Sequence, residues 1–389
     1  MSSTNNQKIL EHVKSLAFNR STSTTGETRA INYIKSELEK ENIDSKIEHF
    51  SFTGYRRVIM RILYTLLICY LLLFRLFLIL ISYYIIRNLF EVTRRFSLIK
   101  KEESKNLYTI ISAKKKIHPQ PTIIFSAHYD SFASILPYKL QNFFFFLFKA
   151  IILPYLGIMI LVSSLLIIDF IYQTYSLIII NLTIISSVIQ FIIIIFIIIL
   201  LIDVKKVYGS IDNASGVSIL IELVKKVKKT PLENIDVIFI WTGAEEWGTK
   251  GSKSFYKTHS KKLKKNNDLN RSYGINIDMV GTYIGLIDEI GLIKKKMNNN
   301  LNDIIGESAN QLNIPLIKYK KTFEPRSDQR VFRKLSRKST FQVACFHSNK
   351  DCKYIHSSKD SPDKCSEEIL KGCLDICHTT IMKLDIQMQ

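Results

Sequence analysis

The chain has 389 residues, enough for one large domain or two ordinary ones, and 54 Lys and Arg against 34 Asp and Glu give a net charge of +20. The cations bracket apolar runs (Arg56, Arg57 and Arg61; Arg87, Arg94 and Arg95; Lys205 and Lys206), as juxtamembrane residues beside anionic lipid do, and no basic motif is interleaved with aromatics, so nucleic acid is excluded as a partner. Of six cysteines, Cys69 lies in an apolar run and Cys345, Cys352, Cys365, Cys373 and Cys377 lack the paired spacing of a zinc ribbon, which excludes a structural zinc of that kind.

Residues 1–55 are polar and read as part of a soluble domain with no cleavable signal peptide. In "TGETRAINYIKSELEKENI", Ala30, Ile34 and Leu38 recur at helical spacing behind a Ser/Thr-rich cap, and a strand is expected near Ile47–Phe52. Residues 56–98 form a first apolar insert. Ile62–Ile86 is broken only by Arg75 and fits one long span, a re-entrant hairpin or a pair of interfacial helices. The soluble pattern resumes over 99–135, with "NLYTIIS" and "TIIFSAHYD" as strands. Residues 136–204 form a second insert, in which Ala150–Ile168 and Leu177–Ile202 carry no charge and each is long enough to cross a bilayer.

Residues 205–389 return to a soluble pattern. "NASGVSILIELVKKV" is an amphipathic helix with Val217, Leu220, Ile221, Val224 and Val227 on one side; "DVIFIWTG", "YGINIDMVG" and "STFQVACF" read as strands. Strands alternating with helices imply an α/β fold with a largely parallel sheet. If the three soluble pieces make one domain, each insert crosses the membrane an even number of times. The loop "DFIYQTYS" has no Lys or Arg while the opposite flanks do, which places the soluble domain in the cytosol. One or two disulfides are expected only if that domain instead faces an oxidising compartment.

Polar residues gather at the strand ends, where open α/β sheets bind their ligands. His128 ends one strand and Asp130 follows it; Asp212 precedes a helix; Glu245 and Glu246 follow a strand; Asp278 ends another; His356 follows the last, with His347 as a rival that spacing alone does not exclude. Two histidines and several carboxylates suit a pair of divalent ions about 3.5–4 Å apart, with one carboxylate between them. Adjacent glutamates point in different directions, so one can bind metal while the other takes a proton from the attacking water. Asp130 can fix the histidine tautomer.

The stretches "SAHYDS", "GSIDNASGVSILIEL", "WTGAEEWGTKGSKSFY", "INIDMVG" and "YIHSSKDSPDK", in this order, resemble the M28 family of zinc metallopeptidases, of the bacterial leucyl-aminopeptidase type. The resemblance covers most of the chain apart from the two inserts. It implies a three-layer α/β/α domain with a mostly parallel mixed sheet, interrupted here by inserted transmembrane helices. It implies two zinc ions, one on His128 and Asp278 and one on Glu246 and His356, with Asp212 bridging, Glu245 as general base and Asp130 orienting His128. It implies a peptide or protein substrate and favours His356 over His347. It also leads us to expect a cis peptide between Asp212 and Asn213. The chain departs from the family in "RSDQRVF", where Gln329 stands in place of a histidine that lines the site. It is therefore expected to be a membrane-anchored aminopeptidase held in a bilayer by several passes. A single-zinc glutaminyl cyclase and a non-catalytic scaffold or receptor on the same fold are the alternatives.

Overall fold

The computed structural model describes residues 8–54, 101–134 and 207–388, with isolated helical positions between 138 and 195. The chain divides into two units, one of Met1–Ser51, Glu103–Ala133 and Val204–Gln389, the other of Phe52–Glu102 and Ser134–Asp203.

In chain order the elements are α1 (Lys8–Ser15), α2 (Thr25–Glu39), β1 (Lys46–Phe52), β2 (Glu102–Ile111), β3 (Thr122–His128), α3 (Ser215–Lys229), β4 (Asp236–Thr242), α4 (Lys250–Asn266), β5 (Tyr273–Ile277), β6 (Gly285–Ile290), β7 (Lys295–Lys296), α5 (Leu301–Gln311), β8 (Ile317–Lys321), the short α6 (Gln329–Phe332), β9 (Gln342–Phe346) and α7 (Glu367–Ile386). The strands form one sheet in the order β1-β2-β4-β3-β5-β9-β6-β7, with β8 beside β6. Its centre, β4-β3-β5-β9, is parallel. Its flanks are not: β2 runs antiparallel to β4, and β6 antiparallel to β9 and β7. The sheet is thus more mixed than the strand–helix alternation implied.

Helices cover both faces, giving the three layers. Ile238 and Ile240 of β4 point to one side, where they join Ile124, Val343, Phe255 and Leu263 of α4, and Phe332 of α6. Trp241 points to the other and donates its indole N–H to Val217 O of α3, 3.4 Å away. On that side α3 also packs against α1, α2 and α7. Every residue of β3 is buried, which is why it reads as an unbroken apolar run. Capping by Thr24, whose hydroxyl accepts from the Glu27 amide, starts α2 where the Ser/Thr turn implied.

Among the described residues no helix is long and apolar enough to cross a membrane. The runs 62–86, 150–168 and 177–202, expected to be membrane inserts, lie outside the described residues except for a few helical positions. Five of those, Ile184, Ile185, Val188, Ile192 and Ile195, are exposed apolar side chains. The five described cysteines are free, so the conditional disulfides are not formed among them.

Candidate metal centre

The parallel register brings the strand ends together at one edge. His128 is level with Thr242, the last residue of β4, and Asp278 follows the last residue of β5, its amide donating to Phe346 O at the end of β9. The polar residues after each strand therefore converge at the carboxyl edge, where the backbone no longer pairs within the sheet.

Asp212 lies between the two histidines. Its Oδ1 is 3.0 Å from His128 Nε2 and its Oδ2 is 3.3 Å from His356 Nε2. Asp278 Oδ1 lies 3.5 Å from His128 Nε2, and Glu246 Oε1 lies 3.3 Å from His356 Nε2. Two candidate ligand sets result, His128–Asp212–Asp278 and Asp212–Glu246–His356, with Asp212 in both. Tetrahedral zinc with bonds of about 2.0–2.1 Å holds its ligand atoms roughly 3.4 Å apart, which is the spacing seen here. Glu245 Oε1 is buried without a hydrogen bond, and a buried carboxylate oxygen left so is costly unless a cation or a bound molecule completes it. The donor set and this orphaned oxygen fit divalent cations. The expected cis peptide joins Asp212 to Asn213.

Protonation follows from this excess of carboxylate. Burial alone would lower the His128 pKa, yet hydrogen bonds to Asp130, Asp212 and Asp278 hold it well above the usual value. Burial opposes charging of His356 as well, but Glu246 and Asp212 push it up to about 10. Asp212 is held well below the carboxylate range by the two histidines, despite its burial. Burial, then the neighbouring Glu246, Asp328 and Asp278, drive Glu245 well above its usual value, against the pull of His128. Without divalent ions, protons carry the positive charge that the cluster needs.

Asp130 does more than orient His128. His128 Nδ1 lies 3.1 Å from the Asp130 backbone oxygen and 3.5 Å from its carboxylate. The carboxylate makes closer contacts elsewhere: Oδ1 accepts from the Glu245 amide at 2.9 Å and Oδ2 from the Glu246 amide at 3.1 Å. One side chain thus sets both the histidine and the glutamate loop.

Two further residues hold the site, and neither was picked out from sequence. Arg20 is fully buried and donates to Tyr129 O (2.7 Å), Tyr208 O and Gly209 O (both 2.8 Å), while its amide donates to Ser131 Oγ at 3.0 Å. It ties the residues after His128 to those before Asp212. Burial lowers its pKa to about 10 against the surrounding acids, so it stays a cation. Asp360, within the tail "HSSKDS", accepts from the Ile211 amide (2.6 Å) and the Asp212 amide (3.1 Å) and so positions the shared ligand; burial pushes its carboxyl up to about 7.

The structure separates the two rival histidines. His347 joins neither ligand set; its Nδ1 is 2.7 Å from Tyr319 Oη and its Nε2 is 4.0 Å from Cys352 Sγ. Burial, with Lys321, lowers its pKa to about 4. As pH falls from 6.5 towards 4 the unfolded chain takes up a proton at this position and the folded chain does not, so stability is lost across that window, by on the order of 3 kcal/mol. His347→Gln is expected to flatten the stability–pH slope there, as read by urea titrations at a series of pH values. Gln329 is likewise internal: it accepts from Asn276 Nδ2 (3.1 Å) and donates to Pro325 O (3.0 Å), tying its loop to β5.

The sequence profile of peptidase family M28 matches residues 201–381, which contain four of the five candidate ligands. Over that region the chain is similar to peptidase family M28. Aminopeptidase YwaD of Bacillus subtilis is 38% identical to this chain over 74 residues, which are 19% of the chain and 15% of that protein. The match therefore spans under a sixth of the relative's length. Among solved structures, an aminopeptidase from Aneurinibacillus sp. strain AM-1 superposes with a TM-score of 0.58 at 14% identity, covering 97% of this chain and 93% of that one. A zinc aminopeptidase from Bacillus subtilis gives 0.56 at 14%, covering 97% and 94%. An Acidobacteriales glutaminyl cyclase gives 0.55 at 13%, covering 98% and 95%. At these identities the likeness is one of fold, shared by aminopeptidases and glutaminyl cyclases alike.

Proposed function

We propose that the chain is a membrane-anchored di-zinc aminopeptidase. The observation that carries this reading is Asp212, whose two carboxylate oxygens face two histidines belonging to separate ligand sets. His128 and Asp278 would hold one ion, Glu246 and His356 the other, and Asp212 both. When bound, the ions supply Lewis-acid polarisation of the substrate carbonyl and acidify the attacking water. Glu245 belongs to neither set, and its Oε1 is buried without a hydrogen bond. A carboxylate so placed, once the ions are bound, can accept a proton from the attacking water and return it to the leaving amine. Phe132, packed edge-on against the His356 ring at 5.4 Å, offers an apolar wall beside the site. The aminopeptidase named among the sequence relatives supports the choice of an N-terminal substrate.

Membrane anchoring rests on the uncharged runs 150–168 and 177–202 and on the exposed apolar positions from Ile184 to Ile195. The lack of Lys and Arg in "DFIYQTYS" supports a cytosolic catalytic domain. Glutaminyl cyclase neighbours make a one-zinc cyclase the competing reading, and the retained second ligand set, His128–Asp212–Asp278, favours the peptidase.

The test is a panel of aminoacyl fluorophores, their N-acetylated counterparts and a Gln-initiated peptide, offered to full-length protein in detergent. The expected result is hydrolysis of the free-amine substrates alone, abolished by a zinc chelator and restored by zinc. Cyclisation of the Gln peptide without hydrolysis would replace this reading with the cyclase.

A further inference from the structure

The α4 sequence, "KGSKSFYKTHSKKLKKN", holds seven lysines and no acid. The adjoining segment 329–338, "QRVFRKLSRK", adds five cations and again no acid. The two segments lie side by side: Lys264 and Lys334 sit over the Tyr256 ring, 5.9 and 5.6 Å from its centroid, and Phe255 meets Phe332 edge-on at 6.3 Å. Lys253, Lys257, Lys261, Lys264, Arg326 and Arg330 are exposed. Of the acids beside these segments, Glu324 is engaged with Arg333 at 2.8 Å and Arg330 at 3.7 Å, and Glu48 faces His259 of α4 at 3.4 Å.

A solvated helix face normally mixes signs. Here Lys253, Lys257 and Lys261 follow one another at spacings of four, an arrangement that repels and destabilises an isolated helix. Charge of one sign concentrated beside a binding site instead draws ligands of the other sign towards it. This surface begins at the catalytic centre. Lys253 Nζ donates to Gly248 O at 2.7 Å, three residues beyond Glu245. Arg326 stands two residues before Asp328, whose carboxylate accepts from Thr242 and raises Glu245. Burial and the neighbouring Lys334, Arg326 and Arg330 lower the Lys253 pKa, which agrees with their crowding. From there the cations run along α4. A helix of 17 residues is about 25 Å long, room for about seven residues of extended peptide.

We propose that this surface receives the part of a peptide substrate that trails away from the scissile bond, and that it selects peptides rich in Asp and Glu after their first residues. The inference rests on the peptidase reading of the site. The N-terminal residue enters the buried centre among the carboxylates, and the acidic remainder lies over α4 and the 326–338 segment.

Two measurements on full-length protein in detergent test it. The first is kcat/KM for two quenched-fluorescence peptides that share an N-terminal Leu-Ala and differ downstream, one with six glutamates and one with six serines. The acidic peptide is expected to be preferred about tenfold or more at low salt, with the ratio collapsing towards one in 0.5 M salt. In Lys257→Glu/Lys261→Glu/Lys264→Glu the ratio is expected to fall below one. A ratio near one in the wild-type chain, or a ratio unmoved by the triple reversal, would overturn the proposal. The second is fluorescence anisotropy of a labelled hexaglutamyl peptide on the Glu245→Gln chain, which needs no turnover. If neither peptide is cleaved, the peptidase reading fails, and this binding decides the inference: salt-sensitive binding lost in the reversal supports it. No binding refutes it, as does capture of phosphatidylserine vesicles with no affinity for the peptide.

Discussion

Glu245→Gln is expected to lower kcat by a factor of about 10²–10⁴ while both metal ions remain bound. Glutamine keeps the shape of the side chain and removes its ability to take a proton. Glu245 lies outside both ligand sets, so the donors that would hold the ions are untouched. Its backbone amide still donates to Asp130 Oδ1, so the loop keeps its position. The same substitution at Glu246 removes a ligand and should lose metal with activity. Measuring zinc content and kcat on each purified variant separates these outcomes. Full activity in Glu245→Gln would remove Glu245 from the chemistry.

Arg20→Met is expected to destabilise the chain by on the order of 3–5 kcal/mol and to weaken zinc binding by more than a simple loss of packing would. The guanidinium serves carbonyls on Tyr129, Tyr208 and Gly209 from one buried position. Removing it leaves those acceptors without donors and releases the two backbone segments that carry His128 and Asp212. It also removes a buried cation from the neighbourhood of Asp130, Asp212, Glu246 and Asp360. Arg20→Lys keeps the charge but not the planar fork, so it should recover part of the stability and little of the geometry. Urea unfolding gives the first quantity and chelator competition the second. Wild-type zinc affinity in Arg20→Met would show that the arginine serves the fold alone.

What could be read from sequence followed from how local each signal is. His128, Asp212, Asp278 and the Glu245–Glu246 pair each adjoin an apolar strand or an amphipathic helix within a few residues, so pattern alone placed them at element ends. The parallel centre was legible for the same reason, since β3, β4 and β5 are buried almost throughout. β8 was not: "IKYKK" is largely exposed and offers no apolar run, and its partner β6 is buried only in its first half. Arg20 was beyond reach because its meaning lies 188 and 189 residues away, in Tyr208 and Gly209. Asp360 stood inside a quoted motif, yet its work is to hold amides 148 and 149 residues earlier. Spacing alone left His356 and His347 open; the family resemblance favoured His356, and folding brings that residue to Asp212.

Zinc per chain, measured on wild-type protein and on Asp212→Asn, tests the central claim most directly. A carboxylate facing both histidines through separate oxygens should make the two ions interdependent. The expected result is two zinc ions per wild-type chain, with both lost or greatly weakened when Asp212 becomes asparagine. One zinc per wild-type chain, unchanged by that substitution, would contradict it.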